Sequence, residues 1–170
     1  LIVLANDMYT EFIVSDKEQV FSIETDTTFS PTLMKFKGTR ENVVFYDFNR
    51  LAAVKGREAS KLSNDLKTEA DETKKAALRA QLRTIDKEVA AKRKEVVMAN
   101  PDLFIGRVFK AMTEVDIPEP PKNADGSIDS NFKFDYFRAH YWDNFDFNED
   151  GFIRTPLYPN KMEYYLTKMF

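Results

Sequence analysis

Hydrophobic and polar positions follow two different periods along this chain. Over the first 37 residues the period is short. Leu1 to Ala5 is an apolar run, and Asn6-Asp7 is a turn signal. Tyr9 to Val14 is rich in β-formers, Ser15-Asp16-Lys17-Glu18 turns again, and from Val20 to Thr25 the apolar Phe21 and Ile23 alternate with Ser22 and Glu24. Lys35-Phe36-Lys37 supplies a last short strand. A two- or three-stranded meander is marginal by itself, so further strands are expected upstream of Leu1.

At Gly38-Thr39 the period becomes helical. Thr39 is placed to cap a helix, with Glu41 in the first turn where the helix dipole favours an acid. Phe45, Phe48, Ala52, Lys55, Ala59, Leu62 and Leu66 then recur at alternating three- and four-residue steps. Gly56 interrupts this stretch and weakens it by about 1 kcal/mol relative to Ala. A second seam, Leu78, Leu82, Ile85, Val89, Lys92 and Val96, has the same spacing, with Thr68 as its expected cap. Helices over 41–66 and 70–99, each about 40 Å long at 1.5 Å per residue, joined by a short polar break, predict an antiparallel αα-hairpin packed on itself. Asp71-Lys75 and Glu88-Lys92 are spaced to pair along it.

Asn100-Pro101-Asp102 reads as a fresh helix start, followed by an apolar face of Phe104, Ile105, Val108, Phe109 and Met112. Ile117-Pro-Glu-Pro-Pro121 is a stiff extended connector, and Asn123-Ala-Asp-Gly126 is a turn. A fourth helix is expected from a Ser130 cap through Tyr141, and a last one from Pro156 or Pro159 to Phe170. The final 39 residues carry 13 of the 23 aromatics. The fourth helix, apolar on nearly all sides, is therefore expected at the centre of a helical core with Trp142 buried in it. The predicted class is α+β: a partial antiparallel β meander over 1–37, then a five-helix domain over 38–170.

Charge narrows the partners. The net charge of -3 argues against nucleic acid, although residues 40–99 carry 14 Lys/Arg against 10 Asp/Glu and the remainder is acidic. That basic excess is expected to be a solvated face. Lys92-Arg93-Lys94 has no interleaved aromatics for stacking single strands. No apolar run reaches the roughly 20 residues of a membrane span. The absence of cysteine excludes disulfides, thiolate catalysis and zinc-thiolate sites within the chain. No signal peptide is visible, and the opening at Leu1 without Met is expected to mark a fragment or processed product.

Few residues offer chemistry. Asp146, Asn148 and Asp150, with Gly151 and Ile153, reproduce the first half of a calcium loop. The second half fails: Leu157 stands where a bidentate Glu is needed, beside Pro156. An acidic capping turn is expected there instead of a metal site. His140 is the only histidine, so a triad or transition-metal site would need carboxylates for its other members; a packed, hydrogen-bonded histidine is expected. Asp143 and Asp146 are close in sequence, which is not the opposed placement that paired-carboxylate catalysis requires. Gly38 and Gly106 are isolated and form no phosphate-cradling loop. No catalytic, cofactor-binding or metal residue is assigned.

A series of short motifs carries a resemblance. Phe21-Ser-Ile-Glu-Thr-Asp26, Met34-Lys-Phe-Lys-Gly-Thr-Arg-Glu-Asn42, the charged hairpin and Asn100-Pro-Asp102 resemble the amino-terminal region of exported thioredoxin-like thiol–disulfide oxidoreductases of Gram-negative bacteria. Ala124-Asp-Gly-Ser-Ile-Asp-Ser130 and Ala139-His-Tyr-Trp-Asp-Asn-Phe-Asp-Phe147 through Arg154-Thr-Pro156 look like the helical domain of unknown function in those proteins. The resemblance implies a lipoprotein or secretory leader, an extracytoplasmic location in the periplasm, a covalently linked thioredoxin-like domain with Cys-x-x-Cys, and exported proteins as substrates. It transfers no catalytic residue onto this chain. The implied role is a non-catalytic recognition or spacer module. The alternatives are a stand-alone structural or protein-binding domain without redox role, and a calcium-dependent binding module.

Overall fold

The computed structural model describes residues 2–3, 9–28, 30, 32–122 and 125–169. Leu1, Leu4, Ala5, the Asn6-Asp7 turn, Asn123, Ala124 and Phe170 lie outside the described residues. The class is α+β, with short antiparallel strand pairs ahead of a mainly helical region. β1 (Ile2–Val3) pairs with β2 (Tyr9–Thr10), with Ile2 opposite Thr10. β3 (Ser22–Glu24) pairs with β4 (Lys35–Lys37), with Ile23 opposite Phe36. These are separate two-stranded sheets. β2 and β3 are shorter than the β-rich runs that contain them, while β4 has the expected bounds. Beyond Thr10, side chains take the Glu11 carbonyl and both backbone groups of Ile13, as described below.

α1 (Arg40–Thr68) begins where expected: the Thr39 side chain accepts the N–H of Asn42. Gly38 makes the strand-to-helix corner with φ of 86°, and an added Cβ would sit 3.1 Å from the Val20 carbonyl oxygen. α2 (Glu72–Ala99) does not start from Thr68, which is the last residue of α1 and donates its hydroxyl back to the Asn64 and Asp65 carbonyls. Asp71 is the cap of α2, accepting from the N–H of Lys74. The break between the helices is therefore residues 69–71, and it folds α2 back along α1.

The hairpin explains the lysine in its own seam. Lys55 reaches Glu58 at 3.1 Å along α1 and Glu88 at 2.7 Å across to α2. Hydrogen bonds to Glu88 and then Glu58 raise its pKa, overcoming the opposing effect of burial. The expected Asp71-Lys75 and Glu88-Lys92 pairs are replaced by Lys75 with Glu72 and Lys92 with Glu95, because Asp71 is used as a cap and Glu88 turns towards Lys55.

The expected restart at Asn100 is also displaced. Asn100 is the C-cap of α2, residues 101–103 make a turn, and α3 runs from Phe104 to Ala111. α4 covers Phe132–His140, without a side-chain cap from Ser130 or Asn131. A 3-10 helix covers Asp150–Arg154, and α5 runs from Leu157 to Lys168 behind Pro156.

The chain divides into two compact units, Leu1–Gly106 and Arg107–Phe170. The change from strands to helices at 37/38 runs inside the first unit. There Met34, Phe36 and Tyr46 form a buried cluster, with Phe12, Phe21, Ile23 and Phe45 packed around it. In the second unit Phe109, Ala111, Tyr141, Phe145, Phe152 and Met169 are buried. α4 contributes no buried residue, so it is not the centre of the helical core. Its aromatics instead lie along faces: Phe132, Tyr136 and His140 stack on one another, while Phe134 is 47% exposed.

Candidate functional site

The acidic block builds a turn. Asp146 accepts from the backbone N–H of Asn148 at 2.9 Å and from its side-chain amide at 3.2 Å. Glu149 caps the 3-10 helix through the N–H of Gly151 and pairs with Arg107 at 2.5 Å. These contacts use Asp146 and Glu149 as structural acceptors. Among the described residues no group of three or more His, Asp or Glu is arranged to hold a metal ion.

His140 ends α4 with Nδ1 2.6 Å from a carboxylate oxygen of Asp143, and its ring stacks on Tyr136 at 4.1 Å. The pair is spaced i,i+3 on the surface, and Asp143 also donates its N–H to the His140 carbonyl. This fastens the end of a helix. Asp143 is thereby bonded to the end of α4.

The aromatic block is the richest cluster. Tyr141, Trp142, Phe145, Phe152, Tyr158 and Tyr165 are linked by ring contacts between 4.7 and 5.9 Å. The sequence pattern placed Trp142 in the core, whereas its ring is half-buried at the edge of this cluster. The Tyr141 hydroxyl donates to the Lys161 carbonyl at 3.1 Å, and burial raises its pKa. The Lys161 ammonium lies over Tyr141, 4.1 Å from the ring centre, and 5.5 Å from that of Trp142. Burial lowers the Lys161 pKa.

A second polar cluster escaped the sequence pattern. Glu18 receives the N–H groups of Arg40 and Glu41 and the Thr39 hydroxyl, at 2.9, 3.1 and 2.8 Å, and so caps α1 from 21 residues upstream. Burial works against its charge, but these bonds and the charge of Arg40 prevail and hold the carboxyl below its ordinary pKa. Glu41, itself buried, turns to α3 and accepts the N–H groups of Phe104 and Ile105 at 2.7 and 3.0 Å. Asn42 is fully buried; its amide pairs both backbone groups of Ile13 at 2.7 Å. The Tyr46 hydroxyl donates to the Glu11 carbonyl. The sequence marks Thr39 and Glu41 only as local helix-start residues, but the partners of Glu18, Glu41 and Asn42 lie in other elements. Every member is occupied in joining segments, which reads as a structural junction.

The basic stretch is dispersed. Lys92 pairs with Glu95, and the Arg93 guanidinium sits over the Phe48 ring at 5.8 Å. Gly106 is a packing glycine: a Cβ there would lie 2.0 Å from the Asn100 carbonyl oxygen. A surface depression at the hairpin tip is lined by Asp65, Thr68, Glu69, Lys74, Ala77 and Leu78. Among the described residues no helix is long and apolar enough to cross a membrane. No family model, curated protein or solved structure matches this chain.

Proposed function

We propose that this chain is a non-catalytic recognition or spacer module of an extracytoplasmic thiol–disulfide oxidoreductase, working beside a covalently linked thioredoxin-like domain. The observation that carries the reading is the ordered motif series, from Phe21-Ser-Ile-Glu-Thr-Asp26 to Ala139-His-Tyr-Trp-Asp-Asn-Phe-Asp-Phe147, in a chain with no cysteine. Thiol–disulfide exchange proceeds by thiolate attack on sulfur, so such chemistry has to come from outside these 170 residues. The engagement of His140 and Asp143 with one another, and of Asp146 in its own turn, supports a supporting rather than a reacting role.

The experiment compares the full-length protein with a form lacking residues 1–170. Insulin and native exported proteins serve as disulfide substrates. Recognition predicts equal rates on insulin and a loss on native proteins when the module is removed. Equal rates on both substrates leave only a spacer. A full-length protein without a Cys-x-x-Cys domain overturns the redox reading. In that case a stand-alone protein-binding domain becomes the better one, a reading that the exposed rings of the second unit favour.

A further inference from the structure

Charge is unevenly placed on the outer side of the hairpin. The seam of α2 turns Leu78, Leu82, Ile85, Val89 and Val96 towards α1. At 3.6 residues per turn the opposite side carries Arg83, Lys87 and Lys94, with Arg79 at its border, and all four are exposed. Between them stand Ala76, Ala80, Ala90 and Ala91, also exposed, and Met98 ends the row at 73% exposure. The acids of α2 are engaged elsewhere. Glu72 meets Lys75 at 2.8 Å and Arg79 only at 3.9 Å. Glu88 reaches Lys55 across the hairpin at 2.7 Å, and Glu95 holds Lys92 at 2.7 Å. Asp86, at the edge of the row, forms no ion pair among the described residues, and neither do Arg83, Lys87 and Lys94.

A helix face that only meets water gains from opposite charges three or four residues apart and loses from like charges at that spacing. Arg79, Arg83 and Lys87 stand at successive four-residue steps, and Lys94 follows seven residues on. The charge that would balance this row is missing from α2. Its geometry fixes what would supply it. Four residues rise about 6 Å, close to one helical turn, so carboxylates along one side of a second α-helix match the cations over roughly 22 Å. The alanines present only methyl groups, which lets a second helix axis approach to about 8–10 Å. The row has no Trp, Phe or Leu to enter a bilayer and no ring to stack a base. The net charge of -3 also works against an extended polyanion, whereas a single helix meets only the row. A second copy of this chain offers no matching row. Its α4 and α5 have one acid each, Asp135 and Glu163, and in α1 Asp47 and Glu58 are already paired with Arg50 and Lys55.

We propose that the outer face of α2, with Arg79, Arg83, Lys87 and Lys94, docks an acidic α-helix of a partner protein that carries Asp or Glu at matching steps along one side. The two helices lie side by side. Carboxylates of the partner meet the guanidinium and ammonium groups, the arginines through paired N–H donors. Small side chains of the partner face Ala80, Ala90 and Ala91, and an apolar one rests on Met98, whose unbranched thioether adapts to its shape. The inference goes beyond the redox reading and does not rest on it, since the contact needs neither a thiol nor a neighbouring domain.

The test titrates the whole chain into labelled alanine-based helical peptides and reads fluorescence anisotropy. One peptide carries glutamates at the spacing of the row, i, i+4, i+8 and i+15. A second has the same composition with its glutamates spread around the helix, and a third replaces the row of glutamates by lysines. Saturable binding of the first peptide is expected, at least tenfold tighter than of the second, with none of the third. Affinity should fall as salt shortens the electrostatic range from about 10 Å near 0.1 M. Arg83→Glu with Lys87→Glu should weaken the glutamate row at least tenfold and bind the lysine row instead. The milder pair Arg83→Gln with Lys87→Gln should lose the first without gaining the third. Circular dichroism should stay unchanged in both, because these side chains are exposed. Ala80→Gln with Ala90→Gln keeps every charge but holds a neighbouring helix away, and it should also weaken binding. Equal binding of the rowed and spread peptides overturns the proposal, as does full affinity in the Arg83/Lys87 variants. Full affinity in the alanine variant overturns it in favour of charge attraction without packing. Tighter binding to anionic phospholipid vesicles or duplex DNA, lost in the Arg83/Lys87 variants, overturns it in favour of a polyanion. Sedimentation showing a dimer that the same variants dissociate overturns it in favour of self-association.

Discussion

Asn42 is an uncharged polar side chain with no exposure, and its amide closes both hydrogen-bonding groups of Ile13 at 2.7 Å. It does for residue 13 what a neighbouring strand would do, within a β-rich run of which only Tyr9–Thr10 is strand. An unpaired buried group costs about 1–3 kcal/mol, so Asn42→Ala should lose roughly 2–3 kcal/mol in urea unfolding. A loss below about 0.5 kcal/mol, within the scatter of surface substitutions, would show that this junction carries no stability. Glu18 makes a pH-dependent prediction at the same corner. Its carboxyl is held below the ordinary value because the bonds from α1 outweigh burial. The stabilisation is therefore complete above the unfolded pKa of about 4.3 and is lost as pH falls through the lower folded pKa. Glu18→Gln keeps the shape and removes the charge. The stability gap between parent and variant should be open at neutral pH and close as acidification passes below the unfolded pKa and through the lower folded one; a gap that stays constant with pH would disprove the assignment. Thr39 was legible as a cap from its local context. Glu18 and Asn42 were not, because their partners are 21 to 29 residues away and are brought close only by the fold.

Helix periodicity carried most of what could be read at the next scale. The four-three spacing of Phe45 to Leu66 and of Leu78 to Val96 gives the hairpin, and Ile85 is buried in its seam. Ile85→Asp places an unpaired charge there and should cost at least about 3 kcal/mol, with a lower melting temperature read by circular dichroism. An unchanged melting temperature would remove that seam from the stability of the hairpin. The two helical glycines separate sequence effects from packing effects. A Cβ at Gly56 meets nothing within 4 Å, so Gly56→Ala should stabilise by about 1 kcal/mol. A Cβ at Gly106 would collide with the Asn100 carbonyl, so Gly106→Ala should destabilise despite the same propensity gain. Equal effects at both sites would mean that intrinsic propensity alone decides. The errors in reading elements have a common cause. Thr68, Asn100 and Ser130 all have capping chemistry, yet Asp71 caps α2, Asn100 closes α2, and Glu41 from another element serves the start of α3. Composition misled for α4 as well: its rings stack along the helix, with Phe132, Tyr136 and His140 satisfying one another at a half-exposed face.

For the whole chain, the order of strands followed by helices was legible because each class has its own period. The division into Leu1–Gly106 and Arg107–Phe170 was not, because it falls within α3 and leaves no linker of distinctive composition. The redox reading makes its simplest prediction at this scale. Disulfide reduction needs a thiolate, which attacks sulfur and leaves as part of a mixed disulfide. None of the 170 residues is a cysteine, and no histidine other than His140 exists to activate an alternative nucleophile. The isolated chain should therefore leave insulin disulfides intact in the presence of dithiothreitol, with precipitation no faster than the dithiothreitol blank. Adding it in trans to a separate thioredoxin-like protein should also leave the insulin rate unchanged, since insulin supplies its disulfides without needing a recognition surface and the module brings no sulfur. Acceleration by the chain alone would require a reductive chemistry for which these residues provide no group, and the non-catalytic reading would have to be abandoned.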